Sequence, residues 1–150
     1  SRMLSAGSLS SQANLEGVNQ SEIPQDVQEL VSQLFDMARR GDTETLAQYS
    51  DHGVDANLRN QGGNSLLMIA AYSGHHACVD MLADRGADVN ALNDRGQSPL
   101  AGAIFKQEPE VIDSLLRHGA DPTAGQPSAI DTARMFGRED LVERLHARGA

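Results

Sequence analysis

The hydrophobic positions of this chain fall into short helical runs that occur in pairs. Apolar residues fill positions 67–71 and are followed, after a turn, by Cys78, Val79 and Leu82; the same order returns at 100–104 and 111–116. Spacings of one and four residues place the apolar side chains on one side of a helix. This pattern predicts an all-α fold built of thin helical layers.

The paired helices belong to an internal repeat. Gly-Val-Asp-Ala-Asn at 53–57 returns as Gly-Ala-Asp-Val-Asn at 86–90 and as Gly-Ala-Asp-Pro-Thr at 119–123, and the motif begins again at Gly149. The intervals are about 33, 33 and 30 residues, a period typical of stacked helical repeats. We therefore predict about four repeats, at about 25–57, 58–90, 91–123 and 124–150.

The repeats define the domain organisation. They form one repeat domain over residues 23–150, whereas residues 1–22 have no regular apolar period. We expect residues 1–22 to form a flexible tail, in which Ser1 and Arg2 are left from an expression tag.

Polar residues and glycines mark the helix ends within each repeat. Ser65, Ser98 and Ser128 each precede an apolar run and can accept a hydrogen bond from a free amide at the start of a helix. Pro99 then falls in a first helical turn, where its missing N–H has no cost. Gly86 and its repeat equivalents suit the left-handed residue that ends a helix.

These motifs resemble the ankyrin repeats. The resemblance rests on Gly-Asn-Ser-Leu-Leu-Met-Ile-Ala-Ala at 63–71 with the Gly-His pair at 74–75, and on Gly-Gln-Ser-Pro-Leu at 96–100. It covers about residues 25–150 and implies an ankyrin-repeat solenoid of about four stacked helix-turn-helix repeats with short β-hairpin-like loops. The later repeats look like those of short free-standing bacterial ankyrin proteins. Residues 107–109, Gln-Glu-Pro, replace the Gly-His turn.

The composition limits the kinds of partner that the chain is expected to bind and the cellular compartments in which it is expected. The net charge of -9 argues against a nucleic-acid partner, because such binders need a basic surface. No apolar stretch approaches the length of a membrane span, so we expect no membrane partner. Cys78 is the single cysteine, so the fold needs no disulfide. We expect a cytoplasmic protein, or a periplasmic one if a signal peptide was removed.

The sequence gives little support for a catalytic or metal site. The chain has no phosphate-binding glycine loop and no nucleophile elbow. His75, His76 and Cys78 form the nearest metal-like cluster, but the repeat places His75 in a turn, His76 at a helix start and Cys78 in the core. The aspartates of the repeated Gly-x-Asp motif are expected to bond nearby backbone amides. We therefore predict no catalytic, cofactor or metal site, and no enzyme activity.

The resemblance implies a binding surface instead, because ankyrin partners contact the hairpin tips and the exposed side of the first helix of each repeat. The matching positions, called here the concave-face set, include five of the 12 Lys and Arg residues and three of the five Tyr and Phe residues. They are Arg39, Arg40, Arg59, Gln61, Asn64, Tyr72, Ser73, Leu92, Asp94, Arg95, Gln97, Phe105, Lys106, Met135 and Phe136. The alternative interpretation is that Phe105 and Phe136 pack between first helices and that the arginines are simply solvated.

Three functions remain open from the sequence. The chain could be a monomeric scaffold that binds an acidic protein partner through the concave-face set, since aromatic and Arg side chains dominate interfaces. It could be an accessory or inhibitor protein that stabilises or blocks a partner enzyme. An unrecognised enzyme would require a buried, polar, convergent pocket that the sequence does not display.

Overall fold

A computed structural model describes residues 25–149 of the chain. Within this range the backbone forms eight helices, numbered here in chain order. They are α1 (Gln25–Arg40), α2 (Thr43–Asp51), α3 (Leu66–Tyr72), α4 (His76–Asp84), α5 (Pro99–Phe105), α6 (Pro109–Arg117), α7 (Ala129–Met135) and α8 (Glu139–Gly149). The tail expected at residues 1–22 lies outside the described residues.

The helices are arranged in two stacked layers. In the inner layer α1 contacts α3, α3 contacts α5 and α5 contacts α7; in the outer layer α2 contacts α4 and α4 contacts α6. The helix pairs α3–α4 and α7–α8 pack against each other across the layers. Each pair therefore touches mainly its neighbours along the chain, which is the geometry of a solenoid. The all-α ankyrin-repeat solenoid predicted from the sequence is confirmed.

Side-chain caps begin three of the inner helices. The Oγ atoms of Ser65, Ser98 and Ser128 each accept a hydrogen bond from the backbone N–H three residues ahead, at 3.1 Å. Pro99 occupies the first turn of α5. These hydrogen bonds satisfy amides that have no partner inside the helix, so the helix starts predicted from the sequence are confirmed.

One helix-ending turn departs from the glycine pattern. The turn after each inner helix contains a residue with positive φ, 77° at Gly41, 81° at Gly74 and 68° at Gly137, but in the third pair this residue is Gln107, with φ 58°. A side chain in this conformation brings Cβ close to a carbonyl oxygen and costs about 1–2 kcal/mol. The departure seen in the sequence at 107–109 therefore leaves the turn unchanged in shape, with a local backbone strain.

The core lies between the two layers and is filled mainly by leucine. Leu34, Leu67, Leu82 and Leu115 expose 1% or less of their surface. Where inner helices approach one another, small residues such as Ala70 are also fully buried. Small side chains permit the close helix contact, and the leucines fill the space between layers, as the low aromatic content predicts.

The loops between repeats form short hairpins held by asparagine side chains. Within the described residues, one antiparallel bridge joins Arg59 to Ser65. The Asn60 Oδ1 accepts hydrogen bonds from two amides of its own loop, and the Asn93 Oδ1 does the same in the next loop. The Asp94 N–H also donates to the Gly62 carbonyl at 3.1 Å, so successive hairpin tips are joined.

Candidate protein-binding face

The concave-face set lies partly at the C-terminal ends of the inner helices and partly in the hairpins between repeats. Tyr72, Phe105 and Met135 are the last residues of α3, α5 and α7, and Arg39 and Arg40 close α1. Because the inner helices stack in order, the last residue of each helix lies beside that of the next. Repetition of the backbone therefore gives the last residues of successive inner helices equivalent positions in the stack.

Apolar side chains are concentrated on this surface. The large hydrophobic residues that are exposed within the described range are Leu92, Phe105, Met135 and Phe136, with exposed fractions of 37%, 62%, 67% and 43%. All four belong to the concave-face set. Large exposed apolar side chains that cluster together mark interaction sites more often than isolated ones do.

The two phenylalanines contact each other across a repeat boundary. The ring centroids of Phe105 and Phe136 lie 5.7 Å apart with an interplanar angle of 47°. This is a common geometry for a stabilising aromatic pair. The rings therefore pack together, and both remain exposed to solvent.

The Tyr72 ring packs against the next inner helix. A Cβ atom added at Gly102 would overlap the Tyr72 ring, so the ring occupies the space that a side chain would take. Burial raises the pKa of the Tyr72 phenol, and the positive charge of Arg95 acts on the same group in the opposite direction. Sequence reasoning missed Gly102, although a glycine inside an apolar helical run is a recognised signal of close packing.

The five cationic side chains of the concave-face set differ in their hydrogen bonds and ion pairs. Arg39 pairs with Asp36 at 2.7 Å and Arg40 with Asp42 at 3.4 Å, in exposed ion pairs. The Arg59 guanidinium donates to the Leu92 carbonyl at 2.7 Å and the Gly63 carbonyl at 3.2 Å, so it links two hairpins. Within residues 25–149, the side chains of two cations, Arg95 and Lys106, have no hydrogen bond or ion pair.

Asn64 and Gln97 take part in a network that orders the hairpins. The Asn93 Nδ2 donates to the Asn64 Oδ1 at 2.9 Å and to the Gln97 Oε1 at 2.8 Å. Asn93 was not among the residues predicted from the sequence. Gln61 and Asp94 are exposed at the tips, while Ser73 caps the end of α3 and is half-buried.

Comparison with known proteins identifies the repeat. A family model for ankyrin repeats, in three copies, matches residues 34–126, which is more than half of the chain. The chain belongs to the ankyrin repeat family. A relative from Pseudomonas aeruginosa, provisionally named an ankyrin repeat protein, is 50% identical over 54 residues. The alignment covers 36% of this chain and 32% of the relative, so it spans about a third of each.

Ankyrin repeats are generally protein–protein interaction modules and typically lack enzyme activity, so the family indicates a protein partner for this chain. Three copies cover the region up to residue 126. The fourth helix pair, α7–α8, continues the stack in the structure beyond the matched range.

His75, His76 and Cys78, the metal-like cluster of the sequence, each occupy a separate structural position in the ankyrin repeat. The His75 Nε2 lies 2.9 Å from the Arg39 carbonyl oxygen, at the end of the preceding inner helix, and His76 begins α4. Cys78 is fully buried, and burial raises the pKa of its thiol to about 11. These placements match those predicted from the sequence. Among residues 25–149 there is no group of three or more His, Cys, Asp or Glu side chains that could hold a metal ion.

The repeated aspartates act as local turn anchors. In each of the three ankyrin motifs the aspartate carboxylate accepts the backbone N–H two residues ahead, at 2.9 Å. At Asp121 this backbone hydrogen bond, together with one from the Thr123 hydroxyl, lowers the pKa of the carboxyl group. The aspartates of the repeated Gly-x-Asp motif therefore bind nearby backbone amides, as predicted.

Open clefts flank the ankyrin stack. A cleft of about 390 Å³ lies between α1 and the hairpin tip at 60–62, with Phe35, Arg39 and Gln61 in its lining. A second, of similar volume, lies between α6 and α8, where Arg138 and Arg144 line it with Asp113 and Asp140. The first extends the concave-face set toward the N-terminal repeat. No helix in the described part of the chain is long and apolar enough to cross a membrane.

Proposed function

We propose that this chain is a non-enzymatic scaffold that binds an acidic surface or segment of a protein partner through the concave-face set. The proposal joins the general role of ankyrin repeats as interaction modules to the particular side chains of this chain. The apolar cluster provides contact area, and the unpaired cations select the charge of the partner.

One observation carries the proposal. Every large hydrophobic residue that is exposed in residues 25–149 lies at a position that the repeat assigns to partner contact. Exposure of aromatic side chains to water is energetically unfavourable, and interface hot spots are enriched in aromatic residues and arginine. The Phe105–Phe136 pair is therefore the expected centre of the interface.

Charge complementarity indicates the chemistry of the partner. Lys106 directly follows Phe105 in the chain, and neither Arg95 nor Lys106 has an ion-pair partner in the described range. The whole chain carries a net charge of -9, so a cationic, apolar patch contrasts with the rest of the surface. Such a patch raises the association rate with an acidic partner and disfavours a basic one.

An interface map tests the proposal. The chain is used to capture its partner, the complex is cross-linked, and hydrogen exchange is compared between the free and bound chain. We expect protection at the hairpin tips and at the C-terminal ends of α3, α5 and α7. Protection confined to the outer helices α2, α4, α6 and α8, with the concave-face set unchanged, would contradict the proposal.

The same complex distinguishes a scaffold from an accessory or inhibitor role. When the captured partner is an enzyme, its activity and thermal stability are measured with and without the chain. A passive scaffold leaves both unchanged, whereas an accessory protein raises the stability and an inhibitor lowers the activity. The double variant Phe105→Ala/Phe136→Ala should remove any such effect along with binding.

A further inference from the structure

The two residues before each positive-φ turn residue form equivalent pairs along the stack, called here the terminal pairs. In chain order they are Arg39–Arg40, Tyr72–Ser73, Phe105–Lys106 and Met135–Phe136. Equivalent positions of stacked repeats lie on one side of a solenoid. The chemistry of this side therefore changes along the stack, from two cations in the first pair to two apolar side chains in the fourth.

The side chains of the first two terminal pairs contact other parts of the chain. Arg39 forms an ion pair with Asp36 at 2.7 Å, and Arg40 forms one with Asp42 at 3.4 Å. The Tyr72 ring packs against α5 and is half-buried. A ligand that binds these side chains therefore competes with contacts within the chain.

The third and fourth terminal pairs present their side chains to solvent. Phe105, Met135 and Phe136 expose 62%, 67% and 43% of their surface. Lys106 is exposed, and its side chain makes no hydrogen bond or ion pair within residues 25–149. The ring centroids of Phe105 and Phe136 lie 5.7 Å apart, so the two pairs meet at the boundary between the third and fourth repeats. These four residues are called here the anchor patch.

The anchor patch matches an apolar side chain that stands close to a carboxylate. The methionine of the patch is flexible, so it adapts to apolar groups of different shape. Lys106 directly follows Phe105 in the chain, and an ammonium group attracts a carboxylate. Because an extended chain advances about 3.3 Å per residue, an acid within two residues of the apolar side chain stays close to it.

The charge of the patch argues against a second copy of this chain as its occupant. In a two-fold contact the same patch meets itself, so Lys106 of one copy would lie close to Lys106 of the other. Like charges that face each other oppose association. The net charge of -9 adds repulsion between two copies. These charges favour a different, acidic partner.

We propose that the anchor patch binds a linear segment of the partner in which a large apolar side chain stands within two residues of an Asp or Glu. The inference rests on the proposed function and names the ligand and the part of the concave-face set that recognises it. The apolar side chain packs on the two phenylalanines and Met135, and the carboxylate accepts a hydrogen bond from the Lys106 Nζ. A patch of four residues is far smaller than the roughly 20–30 residues that each folded protein contributes to a stable interface, which favours a short segment.

Methionine methyl groups allow binding at the patch to be observed directly. Met135 is 67% exposed, whereas Met37, Met68 and Met81 expose 7%, 0% and 8%. In a spectrum of the chain labelled with ¹³C-methyl methionine, these buried methyl groups are therefore internal controls, and Met135→Leu identifies the Met135 signal.

A defined probe tests the proposal without the partner. The blocked pentapeptide Ser-Glu-Leu-Glu-Ser is titrated to millimolar concentration, and it should shift the Met135 methyl signal while the Met68 signal stays in place. No shift at Met135, or an equal shift at the buried methionines, overturns the proposal. A Met135 shift that depends on chain concentration in the absence of peptide would show that a second copy occupies the patch, and it would also overturn the proposal.

Two further peptides separate the apolar contact from the charge. Ser-Glu-Leu-Glu-Ser should bind about two- to fivefold more tightly than Ser-Gln-Leu-Gln-Ser, as expected for one exposed ion pair. It should bind at least about fivefold more tightly than Ser-Glu-Ala-Glu-Ser, because leucine covers more apolar surface than alanine. Equal affinity in either comparison overturns the corresponding half of the ligand assignment.

Matched variants of the chain test the assigned residues. Lys106→Gln should abolish the preference for glutamate over glutamine peptides. Arg40→Gln changes the net charge equally at the equivalent position of the first terminal pair, and it should leave that preference intact. Phe105→Ala should weaken the leucine peptide at least about fivefold, while an unchanged Met68 signal shows that the chain is still folded. An equal effect of the two charge variants would mean that only the net charge matters and would overturn the role of Lys106.

The peptide titrations and the interface map of the captured complex have separate outcomes. If the peptides fail these tests while the partner still protects the concave-face set from exchange, the anchor patch is wrong and the binding face stands. If the partner leaves that face unprotected, the proposed function itself fails, and with it the role of the patch in binding the partner.

Discussion

Arg85, at the end of α4, donates through Nε to the Asp51 carboxylate of α2 at 3.0 Å, which joins two successive outer helices. Similar ion pairs continue along the outer layer from one repeat to the next. They are Arg117 with Asp80 at 3.0 Å and Arg144 with Asp113 at 2.7 Å. The arginines of the outer layer are thus paired with aspartates of the same layer. Arg95 and Lys106 of the concave-face set have no such ion pair and remain available to a partner.

Removal of the Arg95 charge should slow association with the partner. We expect Arg95→Gln to lower the association rate roughly three- to tenfold at low ionic strength, and the difference should shrink as salt is added. Arg85→Gln changes the net charge equally on the outer layer and serves as the control. The rates are measured by stopped flow or surface plasmon resonance. An equal effect of both variants would mean that only the net charge matters.

Phe105 should contribute strongly to binding and little to folding. Its side chain is 62% exposed and pairs with Phe136, so Phe105→Ala removes contact area that a partner would cover. We expect a loss of about 2 kcal/mol or more in binding free energy, measured by calorimetry, as for an interface hot spot. Glu110→Ala, in the outer layer, is the control. A change in binding below about 0.5 kcal/mol would exclude Phe105 from the centre of the interface.

Leu82 should be a major determinant of stability. It exposes 1% of its surface in α4, within the two central repeats. Leu82→Ala should reduce the free energy of unfolding by about 2–5 kcal/mol, from lost burial plus a cavity. Leu92→Ala, at a 37% exposed position, should cost less than about 1 kcal/mol. Urea denaturation measures both, and a loss below about 1 kcal/mol at Leu82 would show that the core side of α4 is misassigned.

Replacing Gln107 by glycine should relieve the backbone strain in its turn and stabilise the fold. Because Gln107 has φ 58°, Gln107→Gly removes a steric cost and should raise the free energy of unfolding by about 0.5–1 kcal/mol. The reverse change, Gly137→Ala, meets no atom within 4 Å but keeps φ 68°, so it should lose about 1 kcal/mol from backbone strain alone. Thermal denaturation of both variants tests the sign, and a loss of stability in Gln107→Gly would contradict it.

The single cysteine should report the opening of the central repeats. Burial raises the pKa of the Cys78 thiol from 9.0 to about 11, which lowers the thiolate fraction near neutral pH roughly a hundredfold. Steric exclusion adds to this effect, because the side chain is fully buried. We expect Ellman's reagent to label the native chain slowly and the urea-unfolded chain rapidly. Labelling of the native chain at the unfolded rate would mean that α4 is open in solution.

Features that depend on neighbours a few residues away could be predicted from the sequence alone. The serine caps join a side chain to an amide three residues ahead, and the repeated aspartates bind an amide two residues ahead. Helix starts, turns, repeat phase and the buried position of Leu82 follow from such short-range contacts and from apolar periodicity. The exposed apolar members of the concave-face set were named instead from the resemblance to ankyrin repeats, in which equivalent repeat positions share one environment.

The contacts that each member of that set makes could not be predicted from the sequence, because they depend on how the repeats pack on one another. Arg59 is occupied by the Leu92 carbonyl of the next hairpin, and Tyr72 lies on Gly102 of the next inner helix. Both contacts join residues one repeat apart, so they depend on the distance and rotation between stacked repeats. Those quantities are set by how the alanine and leucine side chains of adjacent layers fit together, and the repeat motif does not specify that packing.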